Sequence, residues 1–374
     1  MQALFWICAV GAIYSYALYP MILLLLVPKR RASSPSARTQ PKVSLVIACR
    51  NEEKRLGAKI ENALKLSYPS IEIMVASDSS DDGSDAIVES YAPKGVRLVR
   101  SPERRGKEYA QGLAIAAATG DIIVFSDAGT DLPPDSIDHI VDRFQDLRVG
   151  AVSSEDLFIG ADGKLAGEGA YVKYEMWLRR LESERAGLVG LSGSFFAVRR
   201  SALSKWDASI PSDFACALMT NRAGLVAVSD ARVRGIYKDI KDPRKEYQRK
   251  VRTAVRGMTG LGRLAGVLNP FRYGLFAFQV WSHKVMRWLV PWFLLGLLVS
   301  SLLLRDTAPF YEWALWLQVA GYAVVLVAHV LKVVRDIGPV RIGYYFIQAN
   351  LALAHAAILF ISGKRIVVWD PSVR

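Results

Sequence analysis

Polarity along the chain divides it into three stretches. Residues 1–27 carry no charged side chain and run directly into Pro28-Lys29-Arg30-Arg31, which meets the need of about 20 apolar residues for a bilayer span. This pattern predicts a transmembrane anchor. A cleaved secretory signal would instead show a basic start, a shorter apolar core and a small-residue cleavage site. Three further apolar runs, at 286–304, 313–331 and 341–362, are separated by short turns and predict three C-terminal spans. The stretch between has no comparable run.

In that middle stretch, strand-like and helix-like periods alternate. Val43 to Ala48 reads as a buried strand, Asn51 to Leu66 as a helix with one polar face, and Ile71 to Ala76 as a second strand. Asp81-Asp82-Gly83-Ser84 opens another helix, followed by a strand at Val96 to Val99, a helix over Lys107 to Ala118 and a strand at Ile122 to Phe125. This βαβ spacing predicts an α/β domain with a mostly parallel sheet and a ligand at its carboxyl edge. The expected division is an anchor at 1–27, a basic linker at 28–41, the domain at 42–270, an interfacial segment at 271–285, membrane helices over 286–362 and a tail at 363–374.

Composition sharpens this picture. Of the 374 residues 52% are hydrophobic, and the apolar content is concentrated at the two ends. The net charge of +13 comes with neither zinc spacing nor a basic, aromatic-rich sheet pattern, so anionic lipid and phosphate-bearing substrates explain it better than nucleic acid. Lys29, Arg30, Arg31 and Arg38 put the domain on the cytosolic side of an inner, plasma membrane. With four spans the tail Gly363-Lys364-Arg365 then falls on the opposite side, against the same bias, unless one run is re-entrant. Cys8, Cys49 and Cys216 lie far apart, the four histidines are isolated and there is no P-loop, so disulfide frameworks, zinc sites and P-loop ATPases are not indicated.

The chemistry gathers where strands end. Arg50-Asn51-Glu52, Ser77-Asp78-Ser79 and Ser126-Asp127 terminate three of the four strands. Carboxylates such as Glu52 and Asp78 at these places accept hydrogen bonds from ribose hydroxyls or a base N–H. Turn formation and helix capping use the same residue types. Further on, Lys245, Arg249, Arg252 and Arg256 share one face of a helix, suited to a diphosphate or to anionic headgroups.

The segments "VSLVIACRNEEKRL", "YPSIEIMVASDSSDDGS", "RRGKEYA", "GDIIVFSDAGTDL", "GLSGSFFAVRRSAL" and "SDFACALMTNRAGLVAVSDARV" occur in an order that resembles membrane-anchored family-two glycosyltransferases of GT-A fold, over about residues 42–260. The likeness extends to members acting on exopolysaccharide or lipid-linked acceptors. It implies a GT-A, Rossmann-like cytosolic domain with one N-terminal and three C-terminal transmembrane helices. The implied reaction is inverting transfer of a sugar from a nucleotide sugar, a UDP-sugar foremost, to such an acceptor.

The resemblance also assigns roles. It implies nucleotide contacts at Glu52, Asp78, Lys107 and Asp127, and a Mg²⁺ or Mn²⁺ motif at Asp127. The family's second acid is replaced by Gly129, which leaves Asp131 to supply another oxygen. Asp213 matches the second member of an acidic pair and is the implied general base, with Ser212 in place of the first. Arg252 matches the arginine of the family's Gln-x-x-Arg-Trp, while Arg249 and Thr253 stand where its glutamine and tryptophan would be; Arg249 and Arg252 are the implied leaving-group contacts. The departures keep two alternatives open, a processive synthase and a catalytically silent scaffold of a polysaccharide assembly complex. Gly190, Ser192, Gly193 and Ser194 suit close approach by an acceptor sugar or tight strand packing, and Tyr171, Tyr174 and Trp177 suit sugar stacking or core packing.

Overall fold

A computed structural model describes residues 1–26, 40–159, 170–203, 205–238 and 243–366. Most of the linker and the end of the tail lie outside these residues, as does the side chain of Lys245. By internal contacts the chain forms two units. One is helical and comprises Met1–Leu25, part of a long basic helix up to Met258, and Phe278–Arg365; the other is built on a sheet.

The sheet has seven strands: β1 Val43–Cys49, β2 Ile71–Ser77, β3 Val96–Arg100, β4 Ile122–Asp127, β5 Val149–Ile159, β6 Phe195–Arg199 and β7 Val226–Lys238. They are ordered β3-β2-β1-β4-β6-β5-β7. The first four are mutually parallel, β6 is antiparallel to both neighbours, and β7 returns parallel to β5. The mostly parallel sheet expected from the pattern is therefore present.

The near-continuous apolar runs of β1, β2 and β4 reflect burial on both faces. Alternation along β1 sends Val43, Leu45 and Ile47 to one core and Val46 to the other. For the helices, numbering starts at the N-terminus with α1 Gln2–Ile13 and α2 Tyr19–Leu26, joined by a π-helical turn. The first core is covered by α3 Glu53–Leu64, α4 Ser84–Ser90 and α6 Ser136–Phe144, the second by α5 Lys107–Ala117 and α8 Ser212–Arg222. The amphipathic stretch beginning near Tyr171 forms α7 Ala170–Ser183. The pattern anticipated β1 to β4 and α3 to α5 but not α6, β5 or β7.

The basic stretch is helical, as expected, in α9 Pro243–Arg263. It is followed by α10 Pro270–Val280, α11 Met286–Leu304, α12 Pro309–Val330, the short α13 Lys332–Arg335, and α14 Gly338–Ile361. Among the described residues four helical runs are long and apolar enough to cross a membrane: Gln2–Leu25, Pro270–Leu304, Pro309–Val330 and Gly338–Ile361. The second begins well upstream of the apolar run at 286–304, because α10 and a π-helical turn continue into α11. Within the helical unit Gly11 on α1 faces the Phe293 ring so closely that a Cβ would lie 2.7 Å from it. Tyr14 and Ser282, one in each π-helical turn, share a hydrogen bond of 3.0 Å.

Candidate active site at the carboxyl edge of the sheet

The chain runs from β1 to β2 on one side, whereas β4 lies on the other side of β1. The crevice above the β1/β4 pair is therefore the topological switch point, where open α/β sheets bind ligands. A cleft opens there, lined by Ala48 near the end of β1, Arg50 and Glu52 just after it, Asp78 after β2, Lys107 at the start of α5, and Asp127 at the end of β4. The pairing of Ala48 with Asp127 sets the two strand ends level.

The loops after β1 and β2 brace each other. Asn51 and Ser79 adopt left-handed φ values of 53° and 55°, a strained choice for residues with a side chain. Asn51 offsets this by donating to Asp81 Oδ1 at 2.6 Å and accepting from the Asp81 N–H at 3.1 Å. The Arg50 guanidinium donates to the Ser79 carbonyl and to Asp81 Oδ2. Glu52 pairs with Arg55 at 2.9 Å, one turn along α3.

Asp78 is buried, and its carboxylate accepts the N–H groups of Arg105 at 2.9 Å and Gly106 at 3.0 Å. Gly106, at φ 100°, takes a conformation that a side chain would oppose, and it delivers Lys107 into the cleft. The Lys107 ammonium donates to Asp127 Oδ1 at 2.5 Å and to the Gly193 carbonyl at 3.1 Å. Burial works against its charge, yet Asp127, with Glu108 and Asp213, holds its pKa above the ordinary lysine value.

Beyond β4 the chain turns through Asp127-Ala128-Gly129-Thr130, closed by the Thr130 N–H on the Asp127 carbonyl. The Asp127 N–H donates to the Ser194 carbonyl at 3.0 Å. Asp131 is exposed, and its backbone exchanges hydrogen bonds with Ile236 on β7. Beneath the turn Lys59 on α3 is 1% exposed and donates to the Thr130 carbonyl. Burial drives its pKa down to about 7, against the opposing pull of Asp131 and Asp127.

Asp213 sits in the first turn of α8, which starts at Ser212 after Pro211, with no side-chain cap. Its carboxylate is therefore not consumed by capping. The Leu191 N–H donates to its main-chain carbonyl, and a Cβ built on Gly193 would lie 3.2 Å from Asp213 Oδ2. The segment around Gly193 thus gathers Lys107, Asp127 and Asp213. Arg249 and Arg252 lie on the part of α9 that belongs to the helical unit and are not among the residues lining the cleft. On α7 the rings of Tyr174 and Trp177 are 5.8 Å apart.

Among the described residues no three His, Cys, Asp or Glu side chains converge into a metal cage. Around Asp127 the protein offers one carboxylate, half of it occupied by Lys107, and a turn whose next acid is Asp131. That donor set fits a hard divalent cation taking most of its oxygen ligands from a diphosphate. Asp156 on β5 and Lys59 escaped the reading of the sequence. The first lies within β5, a strand whose polar run does not read as one, and the second lies on a helical face that otherwise reads as apolar.

The glycosyl transferase family 2 pattern matches residues 44–206. The chain is 29% identical over 171 residues to a beta-monoglucosyldiacylglycerol synthase of Trichormus variabilis, covering 44% of this chain and 36% of the relative. It is 26% identical over 216 residues to a poly-beta-1,6-N-acetyl-D-glucosamine synthase of Staphylococcus epidermidis, covering 55% and 50%. An N-acetylglucosaminyltransferase of Mesorhizobium japonicum is 33% identical over 162 residues, covering 41% and 35%. The chain therefore spans half or less of the length of these curated relatives. A mannosyltransferase, PcManGT from Pyrobaculum calidifontis, solved with GDP-Man and Mn²⁺, superposes with a TM-score of 0.70 over 97% of this chain and 99% of that one. At 21% identity that likeness is one of fold. Residues 44–206 are thus a glycosyltransferase family 2 domain, carried on a GT-A fold in a chain with four helices able to span a membrane.

Proposed function

We propose that the protein is a membrane-embedded inverting glycosyltransferase that moves a sugar from a nucleotide sugar, foremost a UDP-sugar, to a lipid-linked or polysaccharide acceptor. The observation that carries this reading is the meeting of Lys107, Asp127 and Asp213 around Gly193 at the β1/β4 switch point. Relatives named for glucosyldiacylglycerol and poly-N-acetylglucosamine synthesis support the acceptor classes, and the GDP-Man and Mn²⁺ held by PcManGT support a nucleotide sugar and a divalent cation.

In this reading Glu52 and Asp78 face the nucleoside. Asp127, with Asp131, would hold Mg²⁺ or Mn²⁺, which when bound neutralises charge on the diphosphate. Asp213 takes the proton from the acceptor hydroxyl as its oxygen bonds to the anomeric carbon. The bond from that carbon to the diphosphate breaks, its electrons leave with the nucleotide, and the Lys107 ammonium compensates the new charge. Arg249 and Arg252 on α9 assist the leaving group or meet anionic headgroups. Protein in a polysaccharide assembly complex, with its catalytic domain in the cytosol and its helices in the inner membrane, completes the reading.

Calorimetric titration of UDP into detergent-solubilised protein tests it. Binding is expected with Mn²⁺, to weaken with EDTA, and to weaken in Asp127→Asn with Mn²⁺ present. No UDP or GDP binding in any condition, together with no hydrolysis of a nucleotide-sugar panel, would leave a silent scaffold as the better account.

A further inference from the structure

We infer that Asp156 is a positioning residue that fixes the Ser192-Gly193-Ser194 arch and thereby sets Lys107 and Asp213 relative to Asp127; this rests on the reading of the cleft given above. β5 pairs with β7 from Val149 onward and with β6 only as far as Ser153, opposite Phe196; beyond that point Asp156 lies opposite Gly235 of β7. The register shifts between Ser153 and Glu155, and such irregularities re-aim side chains near active sites. Here both Ser153 and Asp156 reach the arch.

The Asp156 carboxylate accepts three hydroxyls. Ser192 Oγ approaches its two oxygens at 2.6 and 2.8 Å, Ser194 Oγ at 3.1 Å and Ser154 Oγ at 3.0 Å. Ser153 Oγ takes the Ser192 N–H at 2.7 Å. Gly235 makes room: a Cβ there would come within 3.2 Å of Thr130 and 3.6 Å of Asp156 Oδ1. On its other side the arch makes the site contacts already described. Its Gly193 carbonyl accepts Lys107, its Ser194 carbonyl accepts the Asp127 N–H, and its Gly193 Cα lies against the Asp213 carboxylate.

Hydrogen bonds to an ionised acceptor are the strong ones. Ser192 and Ser194 are only 2% and 8% exposed, so without Asp156 their hydroxyls lose an acceptor where water does not readily replace it. The arch then relaxes, and the Lys107 contact and Asp213 spacing relax with it. These hydrogen bonds involve neither Glu52 nor Asp78, so the nucleoside side of the cleft keeps its own bracing and the larger effect falls on the chemical step.

The test compares Asp156→Ala, Asp156→Asn and the double variant Ser192→Ala with Ser194→Ala in the full-length protein. Lys107, whose side chain is 14% exposed, is acetylated with a water-soluble N-hydroxysuccinimide ester and followed by peptide mass spectrometry. UDP affinity, and turnover of whichever nucleotide sugar the wild type consumes, are measured in parallel. Asp156→Ala and the double serine variant should acetylate Lys107 several-fold faster and lower kcat about 10²-fold, the usual cost of a misplaced reacting group, with UDP affinity lowered by a much smaller factor. Asp156→Asn keeps an acceptor oxygen and should recover most of both. Lys107 labelled at the wild-type rate in Asp156→Ala, an Asn variant no better than Ala, or equal losses in kcat and UDP affinity would each overturn the inference. Wild-type turnover tests the reading of the cleft separately, while the labelling ratio reads the arch without it.

Discussion

At the scale of single residues the proposed reaction would divide its labour between two carboxylates in unlike surroundings. Asp127 is tied to Lys107, whereas Asp213 takes no side-chain hydrogen bond among the described residues and faces the open side of Gly193. A base must keep its lone pairs available for an incoming proton, and Asp213 meets that requirement. Asp213→Asn retains shape and removes the proton acceptor. It is expected to lower kcat by about 10²–10⁴-fold while UDP affinity stays within about twofold, since that effect belongs to the transition state. Single-turnover kinetics beside calorimetry on the same preparation reads both; a large loss of UDP affinity would move Asp213 to the donor side.

At the scale of elements, α3 carries an unusual feature on its buried face. Leu56, Ile60 and Ala63 pack into the sheet at helical spacing, and Lys59 stands among them under the turn after β4. Its folded pKa of about 7 lies below the ordinary value of 10.5. Between those values the unfolded chain holds a proton that the folded chain lacks, so this group makes stability rise with pH from neutrality upward. Lys59→Met removes the titration. The difference in thermal midpoint, wild type minus variant, should grow from pH 7 to pH 9 in detergent; a flat difference would mean that Lys59 keeps its charge through another partner. The elements also explain what sequence made visible. The parallel strands β1, β2 and β4 are near-continuous apolar runs and β3 a short one, all punctuated by Asp and Gly turns, so each stands out, and the acids Glu52, Asp78 and Asp127 at the ends of the first three come with them. The antiparallel β6 and the strands β5 and β7 were harder. β5 passes through Ser153, Ser154, Glu155 and Asp156, of which the first two are buried and Ser153 and Asp156 bond to the arch, a tertiary effect that local pattern does not encode. The same limit hid Lys59, whose partner is 71 positions away in sequence.

At the scale of the whole molecule, four spans fix which turns share a side. If all four candidate helices cross, chain order alone would put the sequence 28–269 and the turn carrying Lys332 and Arg335 on one side, and the turn carrying Arg305 and Asp306 on the other with the tail. The first side would carry Lys29, Arg30, Arg31, Arg38, Lys332 and Arg335 in its linker and turn, against Arg305, Lys364, Arg365 and Arg374 on the second, a bias that favours the proposed cytosolic placement of the domain despite the basic tail. Single cysteines read this directly, because Cys8, Cys49 and Cys216 are buried and contribute little background. A membrane-impermeant maleimide added to intact cells should label Thr307→Cys and Ser362→Cys, and should label Ser34→Cys and Val333→Cys only after permeabilisation. Protection of Ser362→Cys together with Ser34→Cys would mean that one apolar run re-enters rather than crosses, which would remove the conflict between the basic tail and the charge bias. External labelling of Ser34→Cys and Val333→Cys would put the cleft outside the cell, away from cytosolic nucleotide sugars, and a transferase drawing on those donors would no longer fit the molecule.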